Sequence, residues 1–405
     1  MSTFEKSHIV NDVLNKNEIL KKLIINLTKE LTNKDPRGWP QLLLLAETLD
    51  ASRTVFDNLK LIQELSIHSY DPETKRWSVL GKQKSCSGSK TGTISVARVQ
   101  HDTLVFTSAK SSREKMIYNK MPFNISVYNF WTDSWSFPYQ DEEEELDVKT
   151  KVRPHNLVSF NGSAFTAFKE VIGTKDQDII SLWSVGEAAS DNPVYSMTHV
   201  SCDKKTRRLT SPVQLFTREN TVNIVDQLSL YSYDPTFNTW HHSQIQGEIN
   251  SSSWISLQDG RLLQVGGAED KTDSPSKSCA VYSSLDEEPL KIGDLVRSRI
   301  QPSLAEFRGL VFAAGGLTSS NKRKKSYSRS GTSDLADFYG GEMVVEASVE
   351  YYVPEVNCWN LLPVQPEITT GAQLSLVRVD KPMRLLDLSF PSSQKGLKRS
   401  HCTDE

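Results

Sequence analysis

The chain lacks the features that would place a protein in a membrane, in the secretory pathway or on a nucleic acid. Its 405 residues carry a formal net charge of −3, which gives no overall attraction to nucleic acid or to anionic lipid. The N-terminal residues lack the apolar core of a signal peptide. The most continuous apolar run, 42–46, is far too short to span a bilayer. We therefore expect a cytoplasmic protein that binds neither membrane nor nucleic acid.

Cysteine is scarce, and recognisable catalytic motifs are absent. The five cysteines are far apart and form no CxxC pair, which favours free thiols in a reducing compartment over a disulfide framework or a zinc site. The sequence contains no GxSxG, P-loop or HExxH motif. The adjacent histidines His241 and His242 would alternate across a strand, so both cannot line one site. We expect a protein without catalytic residues, metal or cofactor.

What the chain does contain is a repeat built on aromatic residues. A tyrosine is followed seven residues later by a tryptophan in four places: Tyr70 and Trp77, Tyr128 and Trp135, Tyr233 and Trp240, Tyr352 and Trp359. Trp183 and Tyr282 occupy the predicted tyrosine position in two further units. In the copy at 233–240, Asp234-Pro235 predicts a tight turn between two strands.

Each of the later units also has a predicted hairpin ahead of its aromatic residue. Asn161-Gly162, Asp259-Gly260 and Arg308-Gly309 lie between apolar segments. Asn-Gly and Asp-Gly accept the positive φ angles of a two-residue hairpin turn. Four antiparallel strands per unit, here named a, b, c and d, repeated at intervals of 49 to 70 residues predict a β-propeller.

The first unit lacks a strand a, and 373–379 near the other end of the chain can supply it. Closing the ring in this way leaves no unpaired sheet edge at the junction. We expect an all-β fold with a six-bladed propeller over residues 39–389. Seven blades stay open as the alternative, because 383–389 could pair with 373–379. Residues 1–38 predict a helical segment with an apolar stripe, and 390–405 a flexible tail.

The last two units resemble kelch repeats. Residues 263–267 and 311–316 are apolar segments that end in Gly266-Gly267 and Gly315-Gly316; Tyr282 follows the first, and Tyr352 and Trp359 follow the second. This is the kelch pattern of an apolar strand ending in Gly-Gly, then a tyrosine, then a tryptophan. The resemblance covers residues 40–380 and is partial in the other units, which lack the glycine pair.

The helical leader before the propeller is similar to the end of the BACK domain in BTB–BACK–kelch proteins. In that family the BTB domain dimerises and binds cullin-3, while the propeller holds a substrate protein for ubiquitination. The resemblance therefore implies a ubiquitin ligase adaptor with cullin-3 as a suspected partner. Residues 1–38 leave no room for a BTB domain, so a form shortened at its N-terminus is expected. The alternative function is a scaffold associated with the cytoskeleton, without a ligase.

The repeat also predicts which end of the propeller binds a partner. The connections from strand b to c, and from strand d to the next strand a, emerge at one end and hold nearly all the length variation. We call this end the long-loop face, because long irregular loops in a compact domain are commonly functional. The candidate residues are the charged and aromatic ones in these connections: Arg113, Lys115, Tyr118, Glu143, Glu144, Lys322, Arg323, Lys324, Lys325, Tyr327 and Arg329.

The charges in these connections suggest how the face selects its partner. The basic cluster at 322–325 and the acidic run at 141–145 predict electrostatic selection of a charged segment. The alternative is that both runs are solvated insertions. A nuclear import signal is a further interpretation of the basic cluster.

Overall fold

The computed structural model describes the strands of this chain and part of their connections. The described residues are 41–49, 63–85, 94–99, 103–109, 123–129, 134–136, 156–172, 177–187, 195–203, 214–226, 229–245, 249–269, 274–285, 287–319, 343–362 and 373–379. They form six four-stranded antiparallel sheets and two small two-stranded sheets. The predicted six-bladed β-propeller is confirmed. The segments predicted at 1–38, 383–389 and 390–405 lie outside the described residues.

Each sheet is one blade, and its strands follow the chain from the centre outward. Blade one contains β1 (Gln41–Leu49), β2 (Gln63–Asp71) and β3 (Arg76–Ser85), with β28 (Gln373–Val379) as its strand a. Blade two contains β4 (Ile94–Val99), β5 (Thr103–Ala109), β6 (Phe123–Asn129) and β7 (Ser134–Ser136). Blade three contains β8 (Val158–Phe160), β9 (Ser163–Ile172), β10 (Gln177–Glu187) and β11 (Tyr195–Asp203).

The second half of the ring repeats this order with shorter strands. Blade four contains β12 (Gln214–Arg218), β13 (Thr221–Asp226), β14 (Ser229–Asp234) and β15 (Thr239–Gln244). Blade five contains β17 (Ser253–Ser256), β18 (Leu262–Val265), β20 (Cys279–Tyr282) and β21 (Leu290–Lys291). Blade six contains β22 (Ser303–Phe307), β23 (Leu310–Ala314), β26 (Val349–Val353) and β27 (Cys358–Leu361), with a 3-10 turn at Pro354–Val356. The small sheets pair β16 (Ile249–Asn250) with β19 (Ala268–Glu269), and β24 (Leu317–Ser319) with β25 (Met343–Val345).

The ring closes through the C-terminal strand, as the sequence predicts. β28 pairs antiparallel with β1, from Gln41 opposite Val379 to Glu47 opposite Gln373. The six innermost strands, β28, β4, β8, β12, β17 and β22, adjoin one another in this order around the centre and return to β28. Blade one is therefore built from both ends of the propeller sequence.

Polar side chains join neighbouring blades near the centre. The backbone N–H of Leu157 donates to Ser95 Oγ at 2.6 Å, and that of Leu376 donates to Ser303 Oγ at 2.8 Å. The N–H of Leu215 donates in the same way to Asn156 Oδ1 at 2.7 Å. Each donor belongs to the innermost strand of one blade, or to the residue just before it, and each acceptor belongs to the preceding blade. Innermost strands have one unpaired edge, and these side chains satisfy N–H groups that would otherwise be buried without a partner.

The hydrophobic core lies between the blades. Separate clusters of buried apolar residues fill the gaps between blades one and six, two and three, three and four, four and five, and five and six. The tyrosine and tryptophan of each complete repeat lie directly opposite each other on strands c and d. Their ring centroids are 5.0–5.4 Å apart. Trp240 Nε1–H donates to Ser201 Oγ of the preceding blade at 2.9 Å, so this ring also helps to bridge the gap.

Blades three and five depart from the predicted aromatic pattern. Strand c of blade three does not end near Trp183; it continues to Glu187, with a register shift between Leu182 and Trp183. The register places Val185, opposite Met197, at the position that tyrosine holds in the other blades. In blade five, Tyr282 packs against Trp254 of strand a at a centroid distance of 5.0 Å. Trp254 thus replaces the tryptophan that strand d lacks.

The turns also follow the sequence, with one exception. Asn161-Gly162 and Arg308-Gly309 are two-residue turns in which both residues have positive φ. At Asp259-Gly260 the loop has three residues, because Leu257 and Arg261 still pair through the Leu257 N–H at 2.8 Å. Gly260 alone takes a positive φ there, at 84°, which fits a type I turn followed by a bulge.

Candidate protein-interaction surface

The two ends of the propeller differ in the size of their connections. The a–b turns and c–d turns, which emerge at what we call the turn end, span two to seven residues between strands. The b–c and d–a connections at the long-loop face reach 34 residues, between β23 and β26 of blade six. A β-propeller of this kind is consistent with a protein-interaction module, and the connections at the long-loop face vary far more in length than those at the turn end.

The candidate residues that the sequence predicted all lie outside the described residues. They fall in 110–122, 137–150 and 320–342, and the structure neither brings them together nor separates them. The described part of blade six does locate the ends of the third segment. β24 leads into 320–342 and β25 follows it, and these two strands pair from Leu317 opposite Val345 to Ser319 opposite Met343.

The glycine pairs of blades five and six lie directly after strand b, at the root of the long-loop face. All four glycines have positive φ. A Cβ added at Gly266 would lie 2.4 Å from the Arg299 carbonyl oxygen, and one at Gly316 would lie 2.6 Å from the Ile300 carbonyl oxygen. Only glycine allows both this backbone conformation and this approach. The glycine pairs therefore let the connection between blades five and six pass close to both strands.

A buried ion pair fixes that connection against blade six. Arg299 and Glu350 are both fully buried, with Arg299 Nη2 2.9 Å from Glu350 Oε1. The guanidinium also donates to the carbonyl oxygens of Gly315 and Ser348 at 2.9 Å, and to Ser348 Oγ at 2.6 Å. Burial lowers the pKa of Arg299 from its ordinary value, and the Glu350 carboxylate opposes that shift. Because both side chains are fully buried, removing either one would leave the other as an unpaired buried charge.

The same carboxylate holds two residues whose side chains face outward. The backbone N–H of Val296 donates to Glu350 Oε2 at 2.6 Å, and that of Arg297 donates to Oε1 at 3.0 Å. The Val296 side chain is 43% exposed, and the Arg297 side chain is 53% exposed. Arg297 Nη1 lies 3.7 Å from Oε2 of the mostly buried Glu346. The backbone of this pair is fixed while both side chains remain accessible.

A third exposed side chain, Val344, belongs to the β24–β25 ribbon, which contacts the segment that carries this pair. Val344 is 44% exposed and stands opposite Thr318 in the β24–β25 ribbon. Thr318 Oγ1 is 3.3 Å from Ser298 Oγ, which connects the ribbon to the segment that carries Val296 and Arg297. We call Val296, Arg297 and Val344 the blade-six corner. At the turn end, the exposed Phe237 and Val356 belong to turns of different, non-adjacent blades.

Metal-binding side chains do not cluster in the described part of the chain. No group of three His, Cys, Asp or Glu side chains there could hold a metal ion. Cys279 is buried, and burial raises its pKa to about 12, which leaves the thiol protonated and unreactive. His242 packs against Tyr231 with ring centroids 4.9 Å apart.

Sequence reasoning missed the residues that the structure brings together here. Arg299 and Glu350 are 51 positions apart, and neither belongs to a charge run or a motif. Val296 and Arg297 follow the predicted blade-five repeat, and the composition around them does not indicate a binding surface. One clue was present: two arginines, Arg297 and Arg299, each stand next to an apolar residue shortly before a predicted strand a.

None of the described segments forms a helix long and apolar enough to cross a membrane. No protein-family model matches the chain, and no curated protein matches it. Among solved structures, the chain is similar to the structure of YjhT, with 12% sequence identity and a TM-score of 0.45. That similarity covers 75% of this chain and 94% of the YjhT chain.

Proposed function

We propose that this chain is a protein-interaction module that binds a partner protein on its long-loop face, with the blade-six corner as part of the contact. The observation that supports this most directly is the fixed display of Val296 and Arg297, whose backbone N–H groups are held by the buried Glu350 carboxylate. A surface that is ordered before binding loses less conformational entropy when a partner docks.

We further propose that the module belongs to a kelch-type adaptor that presents a substrate protein to a cullin-3 ubiquitin ligase. This proposal is supported by the structural roles of the residues that resemble kelch repeats. The glycine pairs admit a neighbouring backbone that a Cβ would block, and the tyrosine–tryptophan pairs pack across strands c and d. The proposed site of action is cytoplasmic. A scaffold without a ligase would use the same face, and the experiment below separates the two.

The test compares two valine substitutions at opposite ends of blade six. Val344→Asp places a charge on the long-loop face, and Val356→Asp places the same charge on the turn end, where Val356 is 65% exposed. Both side chains are partly exposed, so we expect both variants to fold with melting temperatures close to that of the original chain. Each tagged full-length variant is expressed in cells, and its co-purified proteins are quantified by mass spectrometry.

We expect Val344→Asp to lose the specific partner at least tenfold and Val356→Asp to retain it. The opposite pattern would place binding on the turn end and overturn the proposal. Cullin-3 is quantified in the same samples. Where a BTB-containing form of the protein occurs, it is co-expressed and analysed in the same way. Its absence from all samples would refute the adaptor role and leave the scaffold.

A further inference from the structure

We propose that the blade-six corner recognises an acidic side chain adjacent to an apolar one in an exposed segment of the partner protein. Arg297 would bind the carboxylate, and Val296 and Val344 would contact the apolar group. This inference rests on the proposed function, because it specifies the chemistry of the partner at the same face.

The geometry of Arg297 leaves most of its guanidinium available. Its one ion-pair contact in the described structure joins Nη1 to Glu346 Oε2 at 3.7 Å, which is too long for a hydrogen bond. A guanidinium has five N–H donors in a planar fork that matches a carboxylate in a bidentate contact. Because the Arg297 side chain is 53% exposed and its contact with Glu346 is long, that contact occupies little of the guanidinium and leaves N–H donors for an incoming carboxylate.

Glu346 nevertheless has a role in orienting Arg297. Its Oε1 accepts the backbone N–H of Ser348 at 3.2 Å, and its side chain is only 11% exposed. The carboxylate is therefore held in place by the same segment that contacts Arg299. Its Oε2 lies 3.7 Å from Arg297 Nη1, and Glu346 directly follows β25, the strand that contains Val344.

The apolar half of the corner comes from two separate segments. Val296 belongs to the connection between blades five and six, and Val344 belongs to the ribbon. The contact between Ser298 and Thr318 holds these segments together. Exposed valines on two contacting segments can bury an apolar side chain while Arg297, on one of these segments, binds its acidic neighbour. Arginine in such surroundings is a frequent energetic centre of protein interfaces.

The charge of the segment that β24 and β25 flank favours an acidic partner over a basic one. The segment 320–342, which β24 and β25 flank, contains five lysine or arginine residues and three aspartate or glutamate residues. An acidic partner segment complements this net positive composition, and such complementarity favours association and suppresses basic competitors.

The experiment measures binding of model peptides to the full chain by fluorescence anisotropy. The probe is a fluorescein-labelled twelve-residue peptide of repeated Asp-Glu-Leu. The comparison peptides replace the acids by Asn and Gln, or by Lys, with leucine unchanged. We expect the acidic peptide to bind at least tenfold more tightly than either comparison, and its affinity to fall as salt is raised because salt screens exposed charges.

Two arginine variants test the residue assignment. Arg297→Ala should lower the affinity for the acidic peptide at least fivefold, and Arg297→Lys should recover only part of it because an ammonium lacks the bidentate fork. Arg308→Ala is the matched control, since Arg308 is an exposed arginine in the a–b turn of the same blade, and it should leave the affinity unchanged.

The outcomes separate this inference from the proposed function. Equal affinity for the acidic and neutral peptides, no binding of the acidic peptide, or wild-type affinity in Arg297→Ala would each overturn acidic recognition. The contrast between Val344→Asp and Val356→Asp in the cellular experiment would still stand in those cases. If that contrast fails while the acidic peptide binds through Arg297, the corner is an acidic-peptide site that the cellular partner does not use.

Discussion

Replacing Arg299 by methionine should be among the most destabilising single changes in blade six. Methionine preserves the length of the buried stem but removes every guanidinium hydrogen bond, including those to Glu350 Oε1 and to two backbone carbonyl oxygens. Breaking a buried ion pair by removing one partner costs about 3–5 kcal/mol. Glu350 would keep its bonds from the Val296 and Arg297 N–H groups, so we expect a value within that range and not above it.

The assay is thermal and urea unfolding of Arg299→Met beside the original chain. Unfolding entropy is about 2.1 cal/mol/K per residue, and the propeller unit runs from Pro40 to Val379. A loss of about 3–5 kcal/mol therefore corresponds to a fall of about 4–7 °C in melting temperature. A fall below about 1.5 °C, or roughly 1 kcal/mol, would refute the claim that this pair fixes the connection between blades five and six.

A second substitution tests whether the stranded charge causes the loss. In Arg299→Met/Glu350→Gln the carboxylate becomes a neutral amide, whose oxygen can still accept a backbone N–H. We expect the double variant to be more stable than Arg299→Met alone, because no uncompensated buried charge remains. Additive losses in the double-mutant cycle would contradict this explanation.

Three further predictions test other parts of the structure. Gly293→Ala should lose about 1–3 kcal/mol, because its Cβ would lie 2.2 Å from the Asn357 carbonyl oxygen; a melting temperature equal to that of the original chain would contradict this. Cys279, with a pKa raised to about 12 by burial, should resist iodoacetamide at pH 8 in the folded protein, and rapid labelling seen by peptide mass spectrometry would refute its burial. Burial also raises the pKa of Glu306 above 4.5. The stability of the original chain relative to Glu306→Gln should therefore be greatest below pH 4.5 and fall as the pH rises through the higher folded-state pKa; melting temperatures that show the reverse trend would contradict this.

The fold was largely predictable because its signals are local and repeated. The seven-residue interval between Tyr233 and Trp240 marks strand c, a turn and strand d within one short stretch. The other copies of this interval locate strands c and d in their own blades. The closing strand could be predicted by elimination, since one blade lacked a strand a. Both inferences depend on chain connectivity and turn chemistry, which sequence patterns carry well.

Errors occurred where packing between distant segments decides the arrangement. Trp183 was wrongly placed at the end of strand c, because a register shift beside it cannot be detected from spacing. Trp254 fills the aromatic position of blade five from strand a, and no local pattern indicates that replacement. In each case a side chain fills the gap between two blades, and the sequence does not specify which strand supplies that side chain.

The candidate surface was predictable as a face but not as a set of residues. Topology alone places the b–c and d–a connections at one end. The fixed corner depends on Glu350 binding the N–H groups of Val296 and Arg297, which are more than 50 positions away. The charge runs that drew attention in the sequence, such as 322–325, lie outside the described residues, and their role stays a prediction.

Carbene footprinting of the complex with its co-purified partner tests the central claim most directly, because it reports which side chains the partner covers. We expect labelling of Val296 and Val344 to fall on binding. Labelling of Val356 and of Phe237, which is 74% exposed at the turn end, should stay unchanged. Protection of Phe237 and Val356 with no change at the blade-six corner would contradict it.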